Sequence, residues 1–378
     1  MKYLLIDDLA ENGWKSILEK AILKEDGSLD IATSYEAALK KIEYPWELIF
    51  LDLRLSEQDH NANSVVEYSG FKLLKEIRKD FKGINFCTPI ILITASTKVW
   101  NIEALRDNGI DGFYIKEHPD YKFDKETSRQ NLESLQTSFL HLKEVGSKRR
   151  EIWKLCNCIF NKMGTHSYFK TQDKKYANIK GRIVDKIKLG YTQLFKAQTG
   201  FEKSILPAYN ESFSFIIFWS ILEEITKGFT DILETWNPSY HRNTNWKFRN
   251  AEYFIERTDD AIILNYYRES SGIYRDNKTY DETTIEFKKY NGDLPINLSD
   301  QVYSLLAAYS NDDNAFQKLC ALFKPLNKYR NDNDFIHSSV FNIATKQLIT
   351  ENAINEAYQK NKEILELINT ILDLKVNN

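Results

Sequence analysis

Four consecutive apolar residues that end in a carboxylate constrain this chain more than any other feature. Leu48 to Leu51 form a short apolar run, and Asp52 follows it at once. A run this short and this apolar predicts a strand that is buried on both faces, as in a parallel sheet. Open α/β sheets carry their chemistry at the carboxyl ends of the strands. Asp52 is therefore a candidate metal ligand, phosphate acceptor or helix cap.

Further apolar runs in the first third of the chain also end in polar residues. The residues that follow them are Asp7 with Asp8, Thr94, and Lys116. Amphipathic helical patterns separate the runs. Strands that alternate with helices predict an α/β fold of the doubly wound kind, with five parallel strands.

Such a sheet brings these strand-end side chains to one crevice. Three carboxylates close together repel one another unless a cation neutralises them, and an oxygen-rich cluster without histidine suits Mg²⁺. A lysine and a hydroxyl group beside the cluster suit a phosphoryl group on Asp52. Helix capping is the structural alternative for each residue taken alone.

Residues 1–125 resemble the receiver domain of two-component response regulators, which has a flavodoxin-like fold. The resemblance rests on the acidic pair Asp7-Asp8, Asp52 between two leucines, Thr94-Ala95, and Lys116 with Phe113 before it. It implies that a histidine kinase phosphorylates Asp52. It also implies that Asp8, Asp52 and the Arg54 carbonyl bind Mg²⁺, with Asp7 acting through water. Thr94 and Lys116 would bind the phosphoryl oxygens, and Phe113 would be the switch aromatic.

Two features depart from the family pattern. The family has proline directly after the lysine, whereas this chain reads Lys116-Glu117-His118-Pro119. The loop between Asp52 and Gly70 is also longer than the usual turn. We expect the loop that presents Lys116 to be built differently. The insertion after Asp52 could be a lid over the acidic pocket, a loop that docks a partner, or a neutral surface feature, and we favour the last two.

Residues 126–147 are predicted to form a helical connector. Its apolar positions are Leu132, Leu135, Phe139 and Leu142, which share one helix face. That face either packs on its own domain or pairs with a second subunit in a homodimer. Gly146-Ser147 is predicted to break the helix and mark the domain boundary.

Residues 148–378 are predicted to form a mainly α-helical output domain. Two apolar segments, 261–264 and 284–287, predict a small β-hairpin within it. No recognition-helix pattern is visible, so DNA binding is not expected. Residues 141–190 hold thirteen basic and four acidic residues with aromatics among them. That composition suits RNA binding, and a solvated helix face is the alternative.

One motif in this region resembles the active site of HEPN domains, many of which are metal-independent ribonucleases. Arg330 and His337 stand at the family's spacing between helical segments. The resemblance implies that this pair cleaves RNA and that Asn331 orients it. The structural alternative is that Arg330 pairs with Asp332 or Asp334.

The bulk composition narrows the class of protein. The formal charge of the 378 residues is −3, so the chain has no overall positive charge that would favour binding to nucleic acid or to a membrane. No apolar run reaches membrane-spanning length, no signal-peptide pattern is present, and the four cysteines suit a reducing compartment. We therefore expect a cytoplasmic response regulator whose output cleaves RNA, or alternatively binds a protein or RNA partner without catalysis.

Overall fold

The computed structural model describes residues 1–62, 64–95, 105, 107–116, 125–165, 174–196, 207–234, 245–248, 251–257, 262–268, 275–280, 302, 305–306, 313–332 and 351–373. The chain divides into two compact units. The first comprises Met1–Lys154 with Phe195–Ile205, and the second comprises Leu155–Leu194 with Leu206–Asn378. Over the described part of the chain, no helix is long and apolar enough to cross a membrane.

The first unit contains a five-stranded parallel sheet. Its strands are β1 (Lys2–Ile6), β2 (Ser28–Ala32), β3 (Leu48–Leu51), β4 (Ile90–Thr94) and β5 (Gly112–Ile115). Their order across the sheet is β2-β1-β3-β4-β5, and every neighbouring pair is parallel. This arrangement confirms the predicted flavodoxin-like fold.

Alternate residues of these strands supply two separate cores, one on each face of the sheet. Leu4, Ile6, Ile49 and Leu51 belong to the first core, together with the buried side of α2 (Tyr35–Lys41) and α3 (Ser69–Lys79). Tyr3, Leu5, Leu48 and Phe50 belong to the second. Because both faces of the central strands are covered, β1, β3 and β4 read as largely apolar runs in the sequence, whereas the edge strands β2 and β5 carry exposed residues. The strand ends are then the places where polar residues can reach solvent.

The first helix of the sheet's second face has an irregular form. An α-helical turn, α1 (Trp14–Ile17), continues as a π-helical segment over Leu18–Leu23. Short 3₁₀ turns occupy Ala10–Asn12, Glu57–Asn61 and Val65–Glu67. The last two lie in the long loop that follows β3.

The predicted connector is part of one long helix, α4 (Lys125–Thr165). The expected break at Gly146-Ser147 was wrong, because the helix continues through both residues. The glycine has a packing role instead, since a Cβ added at Gly146 would lie 2.7 Å from Pro89 Cγ. Leu135, Phe139 and Leu142 pack in the second core, so the apolar seam covers the chain's own sheet.

The second unit is mainly helical and also contains a sheet. Its other helices are α5 (Lys174–Lys196), α6 (Pro207–Phe229), α7 (Asp313–Asp332) and α8 (Glu351–Asp373). Strands β6 (Thr230–Glu234), β7 (Asn245–Phe248), β8 (Ala251–Arg257), β9 (Ile262–Arg268) and β10 (Arg275–Tyr280) form an antiparallel sheet in the order β10-β9-β8-β7-β6. The predicted hairpin was therefore too small. Its first strand lies within β9, and segment 284–287 falls outside the described residues.

Candidate functional site

Three carboxylates meet at the carboxyl edge of the parallel sheet. Asp7 and Asp8 follow β1, Asp52 follows β3, and these two strands are neighbours. One oxygen from each side chain lies within 4.8 Å of the others. Asp7 and Asp52 are buried, and Asp8 is half-buried. The alternation of strand and helix thus produces the predicted cluster of Asp7, Asp8 and Asp52.

Lys116 supplies a positive charge to this cluster. It directly follows β5, and its Nζ lies 2.6 Å from Asp7 Oδ2 and 2.6 Å from Asp52 Oδ2. The side chain is only 8% exposed, so these ion pairs form largely away from solvent. One ammonium group therefore bridges the carboxylates of two strands, across the end of β4.

Backbone groups hold the other carboxylate oxygens. The Leu9 N–H donates to Asp7 Oδ1 at 2.9 Å, and the Arg54 N–H donates to Asp52 Oδ1 at 3.3 Å. Each buried aspartate thus has one oxygen fixed by the backbone and the other by Lys116. The arrangement orients both side chains before any ligand arrives.

The cluster carries an excess of negative charge. Burial raises the pKa of Asp8, the charge of Asp7 raises it further, and Lys116 opposes both effects. Burial likewise raises the pKa of Asp52 despite the nearby Lys116 ammonium. Because three carboxylates face one ammonium group, a divalent cation would relieve the imbalance. Carboxylate and carbonyl oxygens are the donors that Mg²⁺ prefers, so these residues fit that ion.

The other predicted residues lie on the neighbouring strands. Thr94 ends β4 and is buried, and its carbonyl oxygen accepts the Lys116 N–H at 2.8 Å. Phe113 on β5 is 40% exposed, whereas Tyr114 beside it is buried. The strand order β3-β4-β5 therefore sets Thr94 between Asp52 and Lys116 along the sheet edge. Residues 117–119, where the expected proline is displaced, lie outside the described residues.

The long loop after Asp52 is closed by one buried aspartate. Asp59 accepts hydrogen bonds from the Leu55, Ser56 and Ser69 N–H groups and from the Ser69 hydroxyl. Burial opposes ionisation of Asp59, but these hydrogen bonds more than offset it and lower its pKa. The loop therefore has an ordered base that joins its start to its end.

The start of α3 closely approaches the residues that follow β3. Gly70 donates its N–H to Leu53 O at 3.0 Å, and a Cβ at this position would overlap the carbonyl oxygen of Asp52. Only glycine fits there without displacing the backbone beside Asp52. Sequence patterns alone did not assign this role to Gly70.

Sequence reasoning also missed a tryptophan in the site. Lys116 Nζ lies 5.5 Å from the centre of the Trp14 ring, at a distance suited to a cation–π interaction. Trp14 reads in the sequence as an ordinary apolar helix residue. The signal that could have found it is its position just after the acidic pair, at the start of the helix that β1 leads into.

The motif in the second unit is described in part. Arg330 lies near the end of α7, with its guanidinium carbon 5.3 Å from the Trp219 ring centre and Nη2 3.7 Å from Glu223 Oε1. Its observed acidic neighbour is thus Glu223 on α6. Asn331 is half-buried on the same helix, and His337 lies outside the described residues.

Several basic residues of the 141–190 stretch are used in ion pairs. Lys143 pairs with Asp26, Arg149 with buried Asp111, and Lys186 with Glu224. These pairs neutralise part of the positive charge that the composition suggests. Tyr168 and Phe169 of the same stretch lie outside the described residues.

Comparison with known proteins gives matches among solved structures. No family model and no curated protein matches the chain. A receiver domain of Francisella response regulator 1452 is 21% identical, with a TM-score of 0.27, and the match covers 38% of this chain and 96% of that one. A CheY-like response regulator receiver domain protein from Methanospirillum hungatei JF-1 is 20% identical, with a TM-score of 0.28 and the same coverage.

A third match is a response regulator from Burkholderia pseudomallei with a phosphorylated aspartic acid, a calcium ion and citrate. It is 17% identical, with a TM-score of 0.24, and the match covers 36% of this chain and 71% of that one. The similarity concerns the fold of the N-terminal part alone. What this edge of the sheet can do is therefore argued from its own geometry.

Proposed function

We propose that the first unit is a phosphorylation-controlled receiver and that Asp52 accepts the phosphoryl group. The observation that carries this proposal is the single ammonium of Lys116, 2.6 Å from both Asp52 and Asp7, beside a third carboxylate. A purely structural strand end has no need for three clustered carboxylates. A cation site next to an acceptor carboxylate and a lysine is what phosphoryl transfer requires.

Each residue has a defined role in this transfer. An Asp52 carboxylate oxygen attacks the phosphorus atom of a phosphohistidine, presented by a histidine kinase. The new O–P bond forms as the N–P bond breaks, and the imidazole nitrogen keeps the electron pair. Lys116 and the Thr94 hydroxyl then bind the phosphoryl oxygens. Asp8, Asp52 and the Arg54 carbonyl would hold Mg²⁺, with Asp7 acting through water, and the ion would neutralise charge on the transferring group.

The regulatory consequence follows from the position of Thr94. A phosphoryl group on Asp52 gives Thr94 and Lys116 a new dianionic partner, which shifts an equilibrium between two arrangements of this edge. Exposed Phe113 on β5 is the predicted reporter of that shift at the surface. Changes on this surface would alter dimerisation or the release of the second unit.

A direct test uses Asp52→Asn. The wild-type protein is expected to bind beryllofluoride with Mg²⁺ and to gain one phosphoryl group from a small phosphoryl donor, measured by calorimetry and intact mass. Asp52→Asn should neither bind beryllofluoride nor gain a phosphoryl group. The amide is a poor nucleophile, and the substitution removes one negative charge from the site. Asp30→Asn is the matched control, since that aspartate lies on β2 outside the cluster and pairs with Lys41 at the surface. Wild-type protein that stays unmodified with Mg²⁺ and donor would refute the proposal.

A second proposal concerns the output of the second unit. Arg330 is held at the end of α7 by Trp219 and Glu223, and its side chain stays 29% exposed. A guanidinium group held in this way is available to a phosphodiester, and His337 follows it in the chain as a candidate acid or base. We propose RNA cleavage by Arg330 and His337, with Asn331 orienting them, as the activity to test first.

Arg330→Ala and His337→Ala should each abolish cleavage of single-stranded RNA while the helical circular dichroism is retained. Arg182→Ala is the matched control, because Arg182 also pairs with an acidic residue of α6. Cleavage that survives both active-site substitutions would exclude this activity. Phosphorylation-dependent binding of RNA or protein without cleavage would support the non-catalytic alternative, and homodimerisation would be measured by sedimentation in the same samples.

A further inference from the structure

Trp14 lies against both the lysine of the site and the strand that carries it. Lys116 Nζ is 5.5 Å from the Trp14 ring centre, and the Tyr114 ring meets the same indole edge-on, with centroids 5.4 Å apart. Tyr114 on β5 and Lys116, which directly follows the strand, are two residues apart, so their side chains lie on the same side of the extended chain. The Trp14 indole thus contacts both the buried Tyr114 and Lys116 in the site.

The segment from the acidic pair to Trp14 is built to bring the indole back to the site. The Ala10 N–H donates to Asp7 O at 3.1 Å, which starts the 3₁₀ turn Ala10–Asn12. Gly13 then adopts a φ of 121°, a conformation that side chains disfavour, and Trp14 opens α1 directly after it. One short turn therefore joins Asp7, which pairs with Lys116, to Trp14, whose ring contacts the same lysine.

The indole contact differs from the carboxylate contacts in one respect. The ammonium group has three N–H donors, and Asp7 and Asp52 engage it at 2.6 Å each. A cation or a phosphoryl group at the site competes for those same carboxylate oxygens. The face of an indole is not a ligand for either, so its attraction for the ammonium group persists when the oxygens are engaged elsewhere.

We infer that Trp14 is a positioning residue that keeps Lys116 directed at the phosphoryl group once Asp7 and Asp52 no longer hold it. This inference rests on the proposed function of Asp52 and deepens it. The chain has glutamate in place of a proline directly after Lys116, and Trp14 supplies a support for the lysine from a different element.

The test measures binding of beryllofluoride with Mg²⁺ by calorimetry, a signal that does not depend on tryptophan. Trp14→Leu should weaken beryllofluoride binding roughly three- to tenfold, the range expected for loss of one partly buried cation–π contact. Binding of Mg²⁺ alone should change by less than about twofold, since the indole is not an oxygen ligand. Trp14→Phe, which keeps an aromatic face, should recover most of the loss.

A double-mutant cycle with Lys116→Ala separates positioning from general structure. In the Lys116→Ala background, Trp14→Leu should cause no further loss of beryllofluoride affinity. Trp153→Leu is the control for loss of a tryptophan, because its indole donates to Phe81 O, ahead of the amino end of β4. Equal losses in both backgrounds, or equal weakening of Mg²⁺ and beryllofluoride, would overturn the inference. Wild-type protein that binds no beryllofluoride would instead refute the proposed function.

Discussion

At the scale of single residues, the site is defined by a charge imbalance. Lys116 is the ammonium group that bridges Asp7 and Asp52, while Asp8 adds a third carboxylate. Burial raises the pKa of both Asp8 and Asp52, because it removes their charged forms from water. A cation bound among these carboxylates would offset their mutual repulsion. Lys116 therefore contributes to the stability of the fold through its ion pairs with Asp7 and Asp52.

Lys116→Ala should lower the free energy of unfolding by roughly 3 kcal/mol, because it leaves buried carboxylates without their partner. Millimolar Mg²⁺ should restore part of this loss by supplying the missing positive charge. Urea denaturation with and without Mg²⁺ measures both effects.

Lys143→Ala is the matched control for this prediction. Lys143 Nζ also lies 2.6 Å from an aspartate, Asp26, but outside the acidic cluster. Lys143→Ala should lower the free energy of unfolding only slightly, and Mg²⁺ should not change that value. Equal recovery of the two variants by Mg²⁺ would mean that the ion acts elsewhere.

The residues of the site were predictable to different degrees. Asp7, Asp8, Asp52, Thr94 and Lys116 each lie at or just after the end of a parallel strand, so the rule that parallel strands end at one edge was enough to bring them together. The contributions of Trp14 and Asp59 were not predictable in this way. Trp14 reaches the lysine only through the conformation of Gly13, and Asp59 acts through backbone groups that a sequence does not display.

At the scale of elements, helix α4 departs most from expectation. A glycine and a serine in succession usually weaken a helix, yet Gly146 lies inside a helix of 41 residues. The contact with Pro89 explains why glycine is present, because a larger residue would keep the helix away from the sheet. The low helix propensity of glycine favours a break at this position, whereas packing against Pro89 favours a continuous helix, and packing determined the structure.

Gly146→Ala should therefore destabilise the first unit by about 1–3 kcal/mol, the usual cost of overpacking against a rigid ring. Gly181→Ala is the matched comparison, since nothing lies within 4 Å of a Cβ added there on α5. That substitution should stabilise the protein by roughly 0.5–1 kcal/mol through helix propensity. Thermal denaturation of the two variants should shift in opposite directions, and a shared direction would contradict the packing argument.

The strands of the two sheets also differ in how well they can be predicted from the sequence. The central parallel strands β1, β3 and β4 form largely apolar runs because both of their faces are covered. Strands β6–β10 mix charged, polar and aromatic residues, so no apolar run marks most of them. Only the segment within β9 was recognisable from its composition. A sequence pattern identifies a strand reliably when burial dictates its residues, and much less so otherwise.

At the scale of the whole molecule, the chain comprises two units with separate interiors. The first has the two cores of the parallel sheet. In the second, the α6 residues Phe215, Phe218 and Trp219 are buried, and Trp219 stacks on Phe323 of α7. Units with their own cores are expected to unfold in distinguishable steps.

Scanning calorimetry should therefore show two transitions, and beryllofluoride with Mg²⁺ should move only the one that belongs to the first unit. At a hundred times the dissociation constant, the ligand adds about 2.7 kcal/mol, which raises the midpoint by several degrees. Asp52→Asn should abolish that shift and leave both transitions in place. A shift of both transitions by the same amount would show instead that the units unfold together.

The closure of the loop by Asp59 has a practical consequence for testing the proposed role of Asp52. Because Asp59 ties the base of the loop at Leu55 and Ser69, a label attached to the second turn is expected to leave the end of β3 in position. Val66 in that turn is 52% exposed. A cysteine in its place, labelled with an environment-sensitive dye, would test whether this loop responds to the state of Asp52.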